Sequence, residues 1–258
     1  MKTLWLTSLI SSEEMIKKLM LQLKNYGLEL KGHFWEDDLE KMAWMGAQNE
    51  LLDSNIGLWA VLTSDKELQK PNIRYGLSLL ALSIQAQRGN NFPIVLLQTQ
   101  GDAVSSKQFT TPLINTDVLS VSNPALAAKL VAKVHASAGD TMTGYRLDCF
   151  GNPHIGQWFE IGPANDLWQG AMFGVAGAKI NFHAVGAKGR LPEKSTLNYS
   201  VKGLQLQLGQ REYSAWAVQN ELSPQDSYYL KVEGYPESIV FGAYSRQDVA
   251  DVYVVNLK

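Results

Sequence analysis

Ile56-Gly57-Leu58-Trp59-Ala60-Val61-Leu62-Thr63-Ser64, then Pro71-Asn72-Ile73-Arg74-Tyr75-Gly76-Leu77 after a polar connection, is the passage on which the fold turns. Ile56 to Leu62 is apolar almost throughout, as an inner strand covered on both faces must be. Pro71 then stands where a helix least needs an N–H, and Gly89 lies just past Arg88 as a stop. Leu77, Leu79, Leu80, Ala81, Leu82 and Ile84 make this helix apolar over much of its circumference, which predicts burial by more than one neighbour, either the second domain or another chain, and hence an interdomain or oligomer contact. A buried strand feeding a buried helix is the repeating unit of a parallel sheet.

The unit recurs on either side. Leu4 to Ile10 reads as a strand, and a helix follows from Ser11, with Glu14 at the reciprocal capping position and Met15, Ile16, Leu19, Met20 and Leu23 at helical spacing. Leu28 to Trp35 is a second strand, with a helix expected from Asp37 to about Leu52. Phe92 to Leu97 and Val118 to Val121 are the fourth and fifth strands, and Asn123-Pro124 opens a last helix. Residues 1–138 are therefore expected to form an α/β domain, a five-stranded parallel sheet of flavodoxin-like layout with helices on both faces.

Beyond Ala138-Gly139-Asp140 the helical period stops. Leu204, Leu206 and Leu208 alternate with Gln205 and Gln207, a half-exposed strand, and at least seven short strands separated by Gly- and Pro-rich turns are expected. Residues 142–258 read as an antiparallel β-sandwich, of which a jelly roll is one form. The fold class is α/β plus all-β.

Composition bounds the function. Hydrophobic residues are 45% and charged residues 19% of the 258, enough apolar material for two cores. Lys and Arg balance Asp and Glu at 13 each up to Gly139, and stand at 10 against 12 thereafter, so a nucleic-acid partner is not expected. Cys149 is the single cysteine and is expected to be a small buried hydrophobe. The apolar run Leu4 to Ile10 is too short to span a membrane and reads as a strand rather than a signal peptide, which gives a cytoplasmic expectation. His154 and His183 lack metal-ligand spacing, so neither metal nor cofactor is expected. Gly186-Ala187-Lys188-Gly189 lacks the spacing and the hydroxyl of a phosphate-binding loop.

In open α/β sheets ligands bind beyond the carboxyl ends of the strands. This marks Thr7 and Ser8, Trp35, Glu36 and Asp38, and Ser64 and Asp65, with Arg74 near a helix start as a phosphate contact. Asp37 and Asp38 have a second explanation as caps of the helix that follows. In the second domain Trp168 and Trp216 are candidate stacking platforms for a glycan, with core packing as their other use.

The passage from Trp59 to Leu77 resembles the TIR-like domains and the related nucleoside deoxyribosyltransferases, over roughly residues 3–135. Nucleotide-cleaving relatives often show a strand, a small polar turn, then Pro-Asn-Val-x-Phe-Glu-Leu-Gly opening a helix. Aligned on Pro71-Asn72, the family's glutamate falls on Gly76. That glutamate would hold the ribose hydroxyls and stabilise the charge that builds on the sugar, and its loss costs about 10²–10³-fold or more in rate. The resemblance thus implies a non-catalytic nucleotide-sensing or scaffold protein, with a nucleotide-like small molecule and a homo-oligomeric or other protein contact as partners. Two alternatives stay open: an N-glycosidase or transferase that uses Glu36 and Asp38 instead, and a carbohydrate-binding protein working through the sandwich.

Overall fold

In the computed structural model, Thr3–Ser8 (β1), Glu29–Phe34 (β2), Ile56–Thr63 (β3), Ile94–Gln98 (β4) and Asp117–Ser120 (β5) pair in parallel in the order β2-β1-β3-β4-β5. This is the doubly wound order whose direction of winding reverses between β1 and β3. The structure describes residues 2–101, 104, 109–136, 143–244 and 251–258. The expected boundary at Ala138-Gly139-Asp140 lies outside the described residues. The chain divides into two compact units, Met1–Thr141 and Met142–Lys258.

Alternation along the strands sorts the first unit into two layers. Leu4, Leu6, Leu58, Ala60, Leu62, Val95 and Leu97 form one core with Leu19 and Leu23 of Glu13–Lys24 (α1) and Leu126, Leu130 and Val134 of Leu126–His135 (α5). A fully buried Leu contributes roughly 1.5–3 kcal/mol. The exposed pair Lys17–Glu13 on α1 contributes a few tenths, so burial rather than charge docks these helices. The opposite face carries Gln48–Leu52 (α2), Asp65–Leu68 (α3) and Pro71–Arg88 (α4).

Two local expectations shift. The cap of α1 forms one residue later than expected, with Ser12 accepting from the Met15 N–H at 3.4 Å. The helix expected from Asp37 does not form as one piece. The Asp38 side chain instead accepts from the Lys41 N–H at 3.0 Å, a side-chain turn that competes with the helix. Met42 then takes a left-handed backbone (φ 51°), and a 3₁₀ turn, Ala43–Ala47, leads into α2.

Among the described residues the second unit has nine strands in two antiparallel sheets: Tyr145–Asn152 (β6), Gly156–Pro163 (β7), Ala171–Ala176 (β8), Lys179–Ala187 (β9), Val201–Leu208 (β10), Arg211–Val218 (β11), Asp226–Glu233 (β12), Ser238–Ala243 (β13) and Tyr253–Asn256 (β14). Their orders are β10-β11-β8-β13-β14 and β6-β7-β12-β9. Phe159 of β7 lies 5.4 Å from Phe173 of β8 across the two sheets, ring centre to ring centre. The interleaving is that of a jelly roll at its centre: β8 lies between β11 and β13, and β12 between β7 and β9. The outer strands depart from the eight-strand form, since β10 stays beside β11 and β6 adds to the four-stranded sheet. β6 was not among the strands expected, although Leu147 and Cys149 alternate with Arg146 and Asp148 along it; Cys149 is buried.

Candidate functional site

Helix α4 organises the carboxyl end of the parallel sheet because its two flanks are built differently. At about 100° per residue, Arg74 and Ser78 share one side of the helix, while Gly76 and Ser83 lie on the other, roughly half a turn away.

On the Gly76 flank the structure is closed. A Cβ at position 76 would sit 2.7 Å from Cζ2 of Trp35 and 3.4 Å from Cβ of Trp44, so only glycine permits this approach. The Trp35 indole thus lies where a side chain from position 76 would begin, and its own Nε1 is buried without a hydrogen-bond partner. The Gln48 amide donates to the Ser83 hydroxyl further along the same flank. Beneath it, Thr7 is fully buried and accepts from the Trp59 indole at 2.9 Å. Ser8 is buried and donates to the Ile10 carbonyl at 2.7 Å, while its own carbonyl accepts from the Trp35 N–H at 2.8 Å. Trp5 donates its indole N–H to Nδ1 of His33 at 3.2 Å. That nitrogen therefore carries no proton, and burial also holds the His33 pKa below its usual value. Thr7 and Ser8 are thus committed to the protein itself.

The acidic cluster after β2 faces water. Glu36 is exposed, and Asp38 pairs with Lys41 at 2.8 Å. The Lys41 side-chain and backbone hydrogen bonds hold the Asp38 carboxyl below its usual pKa. A general acid needs a raised value, so Asp38 is tuned in the opposite direction.

The Ser78 flank opens on a cavity of about 220 Å³. Asp65 and Gln69 line it from α3 and the residue after it, and Arg74 and Leu77 from α4. Leu68 of α3, Leu96 of β4, Val104, Phe109, Thr110 and Leu113 complete the wall. Ser64 does not line it; its hydroxyl caps α3 by accepting from the Glu67 N–H at 3.3 Å. Asp65 accepts from the Gln69 amide at 3.0 Å. Gly101, at φ 97°, brings the chain so close that a Cβ there would lie 2.9 Å from Cβ of Asp65. Ser78 spends its only proton on the Arg74 carbonyl at 2.6 Å, so Thr110 is the donor in their 2.7 Å contact. The Arg74 Nε is buried and unbonded, and its guanidinium makes no ion pair with any described residue.

Of the sequence candidates, then, Asp65 and Arg74 come together, whereas Thr7, Ser8 and Trp35 gather on the far side of α4. Leu68, Gln69, Leu77, Leu96, Val104, Phe109, Thr110 and Leu113 are not among the residues the sequence marked. Phe109 and Thr110 come from the connection after β4, and no local pattern ties them to α4.

No protein-family model matches the chain, and no curated protein matches it.

In the second unit the two tryptophans are differently placed. Trp168 is buried, and its backbone bridges to Leu222. Trp216 is half-buried, with the His183 ring edge-on at 4.8 Å and Lys202 Nζ 4.6 Å from its ring centre. His183 itself is buried, its Nδ1 2.7 Å from the Tyr228 hydroxyl and its Nε2 without a partner. Burial first, and the Lys202 charge second, lower its pKa to about 4. Elsewhere in this unit, Arg146 donates from Nε to the Pro163 carbonyl at 2.9 Å and from Nη1 to the Ser227 hydroxyl at 3.1 Å. Its charge faces Glu160 at 3.5 Å. Glu160 in turn accepts from the Gly189 N–H at 2.8 Å and the Ser227 hydroxyl at 2.7 Å. Burial, and then the Glu160 charge, push the neighbouring Tyr229 hydroxyl up to about 12.

Among the described residues no helix is long and apolar enough to cross a membrane, and no three His, Cys, Asp or Glu side chains converge as metal ligands.

Proposed function

We propose that the chain is a non-catalytic, TIR-like sensor or scaffold protein whose first unit meets a nucleotide-like molecule or a protein partner and whose sandwich serves assembly or regulation. The observation that carries this reading is Trp35 packed on Gly76. The place from which the resemblance would aim a glutamate at the sugar holds an indole instead, and the neighbouring Thr7 and Ser8 are tied into the protein. Without an anionic partner for the developing oxocarbenium charge, cleavage loses its main electrostatic support. Half-buried Trp35 and exposed Glu36 remain at the rim, where a ligand could dock without being cut.

The test is a thermal-shift series with nicotinamide dinucleotides, ADP-ribose and nucleosides, with hydrolysis products followed in parallel. A ligand that binds only the folded state stabilises it by roughly 2.7 kcal/mol at 100 times its dissociation constant. A shift without products is expected of a sensor, and no shift of a scaffold. Products that vanish in the double variant Glu36→Gln, Asp38→Asn would instead establish an N-glycosidase and end this reading. The glycan alternative predicts that Trp216→Ala lowers affinity for a glycan panel without unfolding the sandwich.

A further inference from the structure

We propose that the cavity on the Ser78 flank of α4 binds a small organic carboxylate that also bears a hydrogen-bond donor, the class of the α-amino and α-hydroxy acids. This goes beyond the sensor reading, concerns the opposite flank of the helix, and stands whether or not a nucleotide meets the Trp35 side.

The charges select the class. Arg74 lines the cavity, and its guanidinium Nε is buried without a hydrogen-bond partner. A planar fork of this kind is matched by the two oxygens of a carboxylate. Asp65 contributes the opposite sign on the same wall. Its Oδ2 already accepts from Gln69, and an ionised carboxylate has further lone pairs to receive an ammonium or hydroxyl donor. One cation and one anion together suit a ligand that carries its own separated charges or a single negative charge. They suit a phosphate dianion less, because Asp65 would repel it.

Shape narrows the class further. Leu77, Leu96, Phe109 and Leu113 offer an apolar wall for a hydrocarbon or aromatic body. The volume of about 220 Å³ lies below the ~300 Å³ at which drug-sized pockets begin. A molecule of amino-acid size is favoured over a dinucleotide. The polar frame is held in place before binding. Gly101 packs against Asp65, and the Thr110–Ser78 hydroxyl pair is anchored on the Arg74 carbonyl.

The experiment is calorimetric titration of the full chain with L-leucine, L-phenylalanine, L-lactate, isovalerate and adenosine monophosphate. Saturable binding of at least one of the first three is expected, with isovalerate, which lacks the donor, weaker. Arg74→Met should reduce affinity about 10- to 100-fold, the size of a lost charge-assisted hydrogen bond. Asp65→Asn should weaken the donor-bearing acids while leaving isovalerate unchanged. Leu77→Trp, which fills the cavity and keeps the guanidinium, should abolish binding, and melting curves of the unliganded variants establish that each one folds. Binding of the mononucleotide alone, an affinity indifferent to Arg74→Met and Leu77→Trp, or no binding of any carboxylate would each overturn the proposal. Nucleotide cleavage by the wild type would end the sensor reading and leave these outcomes untouched.

Discussion

Arg146 in the sandwich and Arg74 beside the parallel sheet are both partly buried arginines, and they are treated in opposite ways. Arg146 donates to Pro163, Ser227 and the Asp226 carbonyl and faces Glu160, so β6, β7 and β12 are joined through one guanidinium. Arg74 lines a cavity, and nothing is bonded to its buried Nε. A charge withdrawn from water is tolerated when its donors are satisfied, and is costly when they are not. The first arginine therefore belongs to the stability of the sandwich. The second is half-buried and lines a cavity, so its charge keeps contact with solvent and adds little to the unliganded fold.

The comparison can be broken most sharply at Arg146. Arg146→Met should destabilise the protein by about 3–5 kcal/mol, because Glu160 stays buried without its cation; urea unfolding followed by circular dichroism measures it. If the loss were under 1 kcal/mol, the two arginines would not differ as described.

Next in size is the closed flank of α4. Gly76→Glu, which restores the residue type of the resemblance, should cost about 3 kcal/mol, since it drives a side chain into the Trp35 ring. The double variant with Trp35→Ala should recover part of that loss.

His183 follows, with a definite sign. Its folded pKa of about 4 lies below the unfolded value near 6.5, so the unfolded chain binds more protons between these limits. Stability contributed by the neutral ring is present above about pH 6.5 and falls as pH drops toward 4, by up to roughly 3 kcal/mol. In His183→Asn that part of the pH dependence should disappear. Urea midpoints at pH 4.5 and 7.5 compare the two proteins.

Arg74→Met should change the stability of the unliganded protein by less than about 0.5 kcal/mol in either direction, in contrast with Arg146→Met. Smallest of all, Asp38→Asn should leave the melting temperature within measurement error. The Asp38–Lys41 pair is solvated, and such pairs contribute little.

The layered plan was legible because periodicity is local. Apolar Ile56 to Leu62, the cap and stop around Pro71 and Gly89, and the alternation of Leu204 to Leu208 each record the environment of their own element. The helix from Pro71 reads as one covered by the second domain or another chain, whereas the neighbours that pack against it are the 3₁₀ turn, α2, α3 and the Thr111–Leu113 turn of its own unit. The break at Met42 was not legible, since a left-handed backbone at methionine leaves no sequence signature.

The sequence by itself determined the five strands of the first unit and the helices after β1, β3 and β5, the change of architecture after the first 140 or so residues, and the absence of a side chain at position 76. Only the tertiary structure decided what that absence means. Trp35 and Trp44, more than thirty residues away in the chain, close over Gly76, while Phe109 and Thr110 arrive on the other side of the same helix and leave Arg74 unmatched. The physical reason is that secondary structure follows from neighbours along the chain. A cavity, and a charge left without a partner inside it, follow from neighbours that meet only when the sheet and helices pack.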